Sequence, residues 1–324
     1  MAREVTGGDR RAVARAISLI ENEEEESNFL LSTLFPFTGR GYRIGVTGPP
    51  GAGKSTITNR LAKHYRREGL KVGIIAVDPT SPFTGGALLG DRIRMTDVEL
   101  DSDVFIRSMA SRGSLGGLSR KAKEAADVLD ASGYQVILLE TVGVGQSELE
   151  IARAADTTVV ILVPESGDGI QAMKAGLMEI ADFFVLNKAD RPGADQAVQS
   201  IKTILGFRQH GDSSGPMWMP DVVKTVGSEG KGVAEVAALI AAHREFLTAS
   251  GGLERRRRGR LEQRIRDLVE EQLQVDFWNS HRTGALQREL SRVVDRDQTP
   301  YDLAGRLIAD FKNQSGERSE GHHE

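Results

Sequence analysis

Residues 42–56 read YRIGVTGPPGAGKST. A short β-forming run leads into Gly48, and the helical pattern TITNRLAKHYRRE (56–68) follows Ser55. Strand, glycine-rich loop and helix form the setting in which G-x-x-x-x-G-K-[ST] binds phosphate. The loop comprises Gly48, Pro49, Pro50, Gly51, Ala52, Gly53, Lys54, Ser55 and Thr56. Gly51 and Gly53 allow φ values that a side chain forbids, so backbone N–H groups converge on phosphate oxygens. The following helix adds its positive N-terminal end. At these offsets Lys54 neutralises the β- and γ-phosphates, and the Ser55 hydroxyl ligates Mg2+. An ordinary strand–helix turn requires neither residue.

Outward from the loop, further apolar runs alternate with helical patterns. The runs are KVGIIAV (71–77), DVFIRS (103–108), YQVILLE (134–140), TTVVILV (157–163), DFFVLN (182–187) and DVVKTV (221–226). Helical patterns fall at 55–68, 118–131, 171–181, 195–205 and 233–248. Near-continuous apolar runs suit strands buried on both faces. The alternation therefore predicts an α/β fold, a parallel sheet with right-handed crossovers. Residues 1–40 read as a helical extension with helices at 11–21 and 27–34, closed by Pro36, Gly39 and Gly41. After Gly251 and Gly252 the chain becomes charge-rich and helical, with Leu261, Ile265, Leu268, Val269 and Leu273 on one stripe. The expected divisions are 1–40, 41–248 and 249–315, with a disordered tail at 316–324.

A second motif follows the strand DFFVL. Asn187, Lys188 and Asp190 make N-K-x-D, a guanine signature. The Asp carboxylate accepts from guanine N1–H and the 2-amino group. Adenine offers neither donor, which would leave a buried Asp190 unpaired at a cost of about 1–3 kcal/mol. Backbone amides of Val226 and Gly227, after DVVKT, are the candidates for the remaining base contact. Three acids are candidates for the metal. Glu140 ends YQVILLE beside the phosphate loop, Asp78 ends KVGIIAV, and Asp91 follows PTSPFTGGALLG.

Composition limits the alternatives. The chain has 324 residues, 36 of them Gly, and no Cys. Without Cys there is no disulfide framework, thiol nucleophile, Cys-ligated zinc or iron–sulfur cluster. A net charge of −4 argues against a surface built for nucleic-acid phosphates. No apolar run reaches the ~20 residues of a membrane helix, and the N-terminus lacks a signal core. A cytoplasmic protein, with neither nucleic-acid nor membrane partner, is the expectation. The basic run 255–258 with Arg260 reads as a solvated helix start, balanced by Glu254, Glu262, Asp267, Glu270 and Glu271. Residues 23–26, all Glu, read as a solvated helix end.

Six segments together resemble the MeaB/ArgK G-proteins, chaperones of adenosylcobalamin-dependent acyl-CoA mutases such as methylmalonyl-CoA mutase. They are GVTGPPGAGKST (45–56), AVDPTSPFTGGALLGDRIRM (76–95), SLGGLSRKAKE (114–124), ILLETVGVGQSE (137–148), GDGIQAMKAGLMEIAD (167–182) and VLNKAD (185–190). The resemblance implies a Rossmann-like P-loop GTPase core, GTP and GDP as ligands, and a homodimer through the C-terminal helices. It makes 78–95 the first switch, with Asp78 and Asp91 as metal-linked or catalytic acids. Residues 140–146 become the second switch, with Gly143, Gly145 and Gln146. Residues 164–175 become the third, where Asp168, Gln171 and Lys174 couple nucleotide to mutase. The third switch departs from the common family form at Glu165, Ser166, Gly169 and Ile170.

The implied reaction is GTP plus water to GDP plus phosphate, with Lys54, Asp78, Asp91 and Glu140 as its catalytic set. Turnover is expected to be slow alone and faster with the mutase. Cobalamin is assigned to the mutase, since this chain carries no D-x-H-x-x-G motif. Three rival readings share the phosphate loop. NKAD opposes an ATP-dependent small-molecule kinase. The absence of Cys and the scattered His oppose a nickel-inserting GTPase. Measured turnover would oppose an interaction module with an inert nucleotide site.

Overall fold

Seven strands form one sheet among the described residues of this computed structural model. The structure describes residues 1–79, 98, 100–111, 117–141, 147–164, 176–207 and 217–320. The strands are β1 Tyr42–Thr47, β2 Val72–Pro79, β3 Val104–Ser111, β4 Val136–Thr141, β5 Thr157–Leu162, β6 Phe183–Leu186 and β7 Val222–Lys224. Their spatial order is β3-β2-β4-β1-β5-β6-β7, and every neighbouring pair is parallel. The chain thus lays β2 and β3 on one side of β1, returns to insert β4 between β1 and β2, and then crosses β1 to add β5, β6 and β7 on the other side. A ligand crevice forms at such a switch point, outside the carboxyl ends of the strands.

Both faces of the sheet are covered, which explains the continuous apolar runs. Every residue of β4 and of β5 is buried. On one face Ile44, Val46, Ile74, Leu138 and Phe183 pack with Ile57, Leu61 and Tyr65 of the helix Lys54–Arg67. On the other, Ile75, Val77, Ile137 and Leu139 pack with Ala125, Val128 and Leu129 of the helix Gly117–Ala131. Phe183 and Phe184 alternate between faces, and Phe184 joins a cluster with Ile201 and Leu205 of the helix Ala194–Phe207. Full burial of such a side chain contributes about 1.5–3 kcal/mol.

Two units divide the chain, Met1–Arg258 and Gly259–Glu324. The first includes the N-terminal helices Ala2–Thr6, Arg10–Glu21 and Glu26–Leu34. Asp9 caps the second of these, accepting from Ala12 N–H at 2.7 Å. Val13, Ile17, Ile20, Leu30 and Leu34 complete the core over Gly117–Ala131. Polar ties add to it: Arg107 pairs with Glu21, and Lys121 pairs with Glu23 at 2.8 Å. Glu23 is therefore a partner in the fold rather than only a solvated end.

The basic run is largely exposed, as expected, but two of its members also reach buried acids. Arg257 binds buried Asp156 at 2.9 Å and donates to the carbonyls of Gly39 and Gly41. Arg256 binds Asp182 at 2.7 Å. Beside them, His243 lies fully buried on the helix Val233–Ala249, its Nδ1 2.8 Å from Thr157 Oγ1 and its Nε2 3.3 Å from Asp182. Burial pushes its pKa down to about 4, against the opposing pull of Asp182. These groups gather at the amino ends of β1, β5 and β6, opposite the end from which the phosphate loop leaves.

The second unit continues the helix Gly252–Phe277 and adds Ser280–Val294 and Pro300–Glu320. Arg282 is buried there between the Phe277 and Phe311 rings, 5.4 and 4.9 Å from their centroids. Leu261, Ile265, Leu268, Val269 and Leu273 are exposed. The last helix runs through Glu320, past the 316 boundary read from sequence. Of the helix read at 171–181, residues 171–175 lie outside the described residues, and Met178–Ile180 is helical. Among the described residues no helix is long and apolar enough to cross a membrane.

Candidate functional site

The carboxyl ends of β1, β4, β6 and β7 bring four segments together. Gly48 leaves β1 with φ +137°, and a Cβ there would lie 2.1 Å from the Ile161 carbonyl oxygen. No side chain fits so close to β5, so only glycine carries the loop across it. Gly51 and Gly53 also have positive φ, +73° and +90°. Gly53 caps the helix Lys54–Arg67 in the left-handed region, so the helix begins at Lys54 with its first N–H groups turned toward the loop. A Cβ on Gly53 would lie 2.3 Å from Asn187 Nδ2, which fixes glycine at a second position.

Lys54 folds back into the loop. Its Nζ donates to the carbonyls of Gly48 at 2.8 Å and Pro49 at 3.1 Å, and the side chain is buried. The neighbouring Ser55 turns the other way. Its hydroxyl donates to Glu140 Oε1 at 2.5 Å. Glu140 is fully buried near the end of β4, paired in register with Val46 of β1 and Ala76 of β2. Thr141 and Thr47 close the floor beside it, Oγ1 to Oγ1 at 3.1 Å. One hydroxyl and one carboxylate at this spacing are hard oxygen ligands, the type that suits Mg2+.

Asn187 ties the phosphate loop to the second motif. Its Nδ2 donates to the Ala52 carbonyl at 2.8 Å, and its Oδ1 accepts from Thr225 Oγ1 and from Gly227 N–H, both at 3.0 Å. Three loops are thereby joined through one buried amide. Sequence reading identified Asn187 as part of the base motif but not as this brace. Lys188 adopts φ +57°, and Ala189 N–H donates to the Thr225 carbonyl at 3.0 Å. The base loops thus share backbone as well as side-chain bonds.

Two expected details differ. Asp190 is exposed, not buried, so its carboxylate stands at the rim of the site. Lys231 lies in its field; the Lys231 pKa is raised first by its bond to Glu229 and further by Asp190. The amides of Val226 and Gly227, read as base contacts, are both paired within the protein: Val226 N–H donates to the Lys231 carbonyl at 3.1 Å, and Gly227 N–H to Asn187. Asp78 is the penultimate residue of β2, its backbone in register with Ala110 of β3; its side chain is outside the described residues. Asp91, Gly143, Gly145, Gln146, Asp168, Gln171 and Lys174 also lie outside them.

Comparison with known proteins gives this arrangement a family. The sequence model described as methylmalonyl Co-A mutase-associated GTPase MeaB matches residues 13–282. A Pyrococcus abyssi protein whose name assigns it to the GTPases is 49% identical over 309 residues, 94% of each chain. The mouse methylmalonic aciduria type A homolog, a mitochondrial protein, is 30% identical over 330 residues, covering 95% of this chain and 78% of its own. A crystal structure titled LAO/AO transport system kinase superposes with a TM-score of 0.73 at 31% identity, covering 96% of each chain. On sequence motif, sheet order and these matches, the chain belongs to the MeaB family of P-loop GTPases and binds guanine nucleotide.

Proposed function

We propose that this GTPase acts in the cytoplasm as a Mg2+-dependent G-protein chaperone of an adenosylcobalamin-dependent acyl-CoA mutase, methylmalonyl-CoA mutase or a close relative. The observation that carries the catalytic part is the pairing of Ser55 with buried Glu140 beside Lys54 in a loop braced by Asn187. Ser55 would hold Mg2+ directly, and Glu140, with Asp78 and Asp91, would hold it through water. Bound there, the ion would supply positive charge to the nucleotide's phosphates. Lys54 exchanges its carbonyl partners for phosphate oxygens and, with the loop amides, stabilises charge on the transferred group. Asp78 or Asp91 positions the attacking water. Water oxygen forms the new bond to the γ-phosphorus, and the bridging oxygen leaves with GDP.

The partner reading rests on the family description, which names methylmalonyl-CoA mutase, and on the switch motifs of the sequence. In it, the GTP state gates adenosylcobalamin loading and protects or reactivates the mutase, with Gln146, Asp168, Gln171 and Lys174 coupling the two proteins. The exposed stripe Leu261, Ile265, Val269 and Leu273 supports a homodimer through 249–315. Phosphate release from GTP, measured with and without purified mutase, tests the reading. Partner-stimulated turnover, lost in Lys54→Ala, is the expected result. Equal rates with and without the mutase overturn the chaperone role, and full activity in Lys54→Ala overturns the catalytic assignment.

A further inference from the structure

Arg60 stands on the helix Lys54–Arg67, on the first turns after Lys54 and Ser55, and reaches across to the loop that follows β7. Its Nε donates to the Gly227 carbonyl at 3.1 Å, and its Nη2 to the Ser228 carbonyl at 2.5 Å. Gly230, at φ +78°, lies over the guanidinium: a Cβ there would sit 3.7 Å from its Cζ and Nη1. The same Gly227 carbonyl closes the local turn by accepting from Gly230 N–H at 3.3 Å. Gly227 is therefore gripped on both sides, its N–H by Asn187 and its C=O by Arg60.

That grip reaches the base motif through backbone. Thr225, two residues before Gly227, accepts from Ala189 N–H, and Ala189 stands between Lys188 and Asp190. A shift of the β7 loop is thus felt where Asp190 leaves β6. We infer that Arg60 is a positioning residue for guanine recognition: it fixes the β7 loop, and through it Asp190, against the helix that carries the phosphate-binding residues. The inference rests on the reading of residues 187–190 as the base site. Arginine suits the task because its planar fork spans two adjacent carbonyls, which a lysine point charge does not. Both carbonyl partners of Arg60 lie on the β7 loop, which bonds directly to the base motif, whereas the path to the phosphate loop runs on through the Asn187 amide to Ala52; loss of Arg60 is therefore expected to act on base-dependent binding more than on phosphate binding.

The test uses the full chain, with GDP as the complete ligand and inorganic tripolyphosphate as a ligand without a base. Arg60→Ala is expected to weaken GDP binding about 10-fold, as charge-assisted bonds to two carbonyls imply. Tripolyphosphate inhibition changes by less than about 2-fold, the KM for GTP rises by about the same factor as the GDP Kd, and kcat stays within about 2-fold. Arg60→Lys recovers part of the GDP affinity. An equal loss for GDP and tripolyphosphate overturns the inference, because general loosening of the unit would move both. Unchanged GDP affinity overturns it as well. Should Arg60→Ala fail to fold, Arg60→Gln carries the same comparison, since it removes the charge and keeps a donor. Asp190→Asn separates failure of the base assignment: its amide donates where guanine also donates, so preference moves toward xanthine nucleotides, whose 2-oxo group accepts. If Asp190→Asn keeps the guanine preference, the base assignment fails and the Arg60 inference falls with it. If Asp190→Asn switches while Arg60→Ala does not separate the two ligands, only the Arg60 inference fails.

Discussion

Replacing Asn187 by alanine removes three hydrogen bonds at once from a site only 3% exposed. The Ala52 carbonyl, the Thr225 hydroxyl and the Gly227 N–H lose their shared partner. Each bond contributes about 1 kcal/mol net, and a buried group left without a partner costs about 1–3 kcal/mol. The expected destabilisation is about 3–6 kcal/mol, a large fraction of the 5–15 kcal/mol typical of a folded domain. In a unit of this size it lowers Tm on the order of 10 °C. Function should fail in the same variant, since the amide joins the phosphate loop to both base loops. Thermal unfolding with and without GDP reads both effects. Wild type gains about 2.7 kcal/mol at a GDP concentration 100 times Kd. Asn187→Ala should lose most of that gain. Thr225→Val, which deletes one of the three bonds, should cost only about 1 kcal/mol and keep the GDP response. An Asn187→Ala protein less than 1 kcal/mol destabilised and still responsive to GDP would refute the brace.

Three further outcomes follow from the same structure. Glu140→Gln should raise the half-saturating Mg2+ concentration of GTP turnover about 10-fold, the usual effect of an altered outer-sphere partner; an unchanged Mg2+ titration contradicts the proposed metal role. His243 is neutral in the folded protein down to about pH 4, whereas the unfolded ring takes a proton near 6.5. Its contribution is therefore complete above about pH 6.5 and lost as pH falls toward 4, about 3 kcal/mol over that window. Urea unfolding of His243→Gln should show a flatter pH dependence there than wild type, and identical slopes would rule the ring out. Arg257→Ala should cost about 3 kcal/mol, because it leaves the fully buried Asp156 without its guanidinium; loss below 1 kcal/mol in denaturant titration would show the pair to be incidental.

The sheet was legible because its physics is local and repetitive. Strands buried on both faces must be apolar throughout, as in Val136–Thr141 and Thr157–Leu162, and helices between them show their own period. The phosphate loop was legible for a different reason: Lys54 and Ser55 stand at offsets that ordinary turns do not need. Long-range polar pairing left no such trace. Arg256 and Arg257 meet acids 74 and 101 residues away, so an Arg-rich stretch reads as solvated although the fold gives two of its members buried partners. Arg60 is hidden likewise, one basic residue in a helix with several, its carbonyl partners 167 and 168 residues downstream. Asp190 looked like a buried specificity group, yet the turn after β6 leaves it exposed at the rim.

Arg256 and Arg257 also bear on how the protein can be dissected. They belong to the helix Gly252–Phe277, which begins in the nucleotide-binding unit and ends in the other. A fragment cut at 248 would keep every motif residue and still remove the Arg257 and Arg256 guanidiniums that pair with Asp156 and Asp182. Such a fragment would fold poorly for reasons unrelated to nucleotide. A minimal GTPase should therefore extend at least through Arg258, and damage from shorter truncations should be charged to two carboxylates at the amino ends of the strands before it is blamed on a missing partner surface.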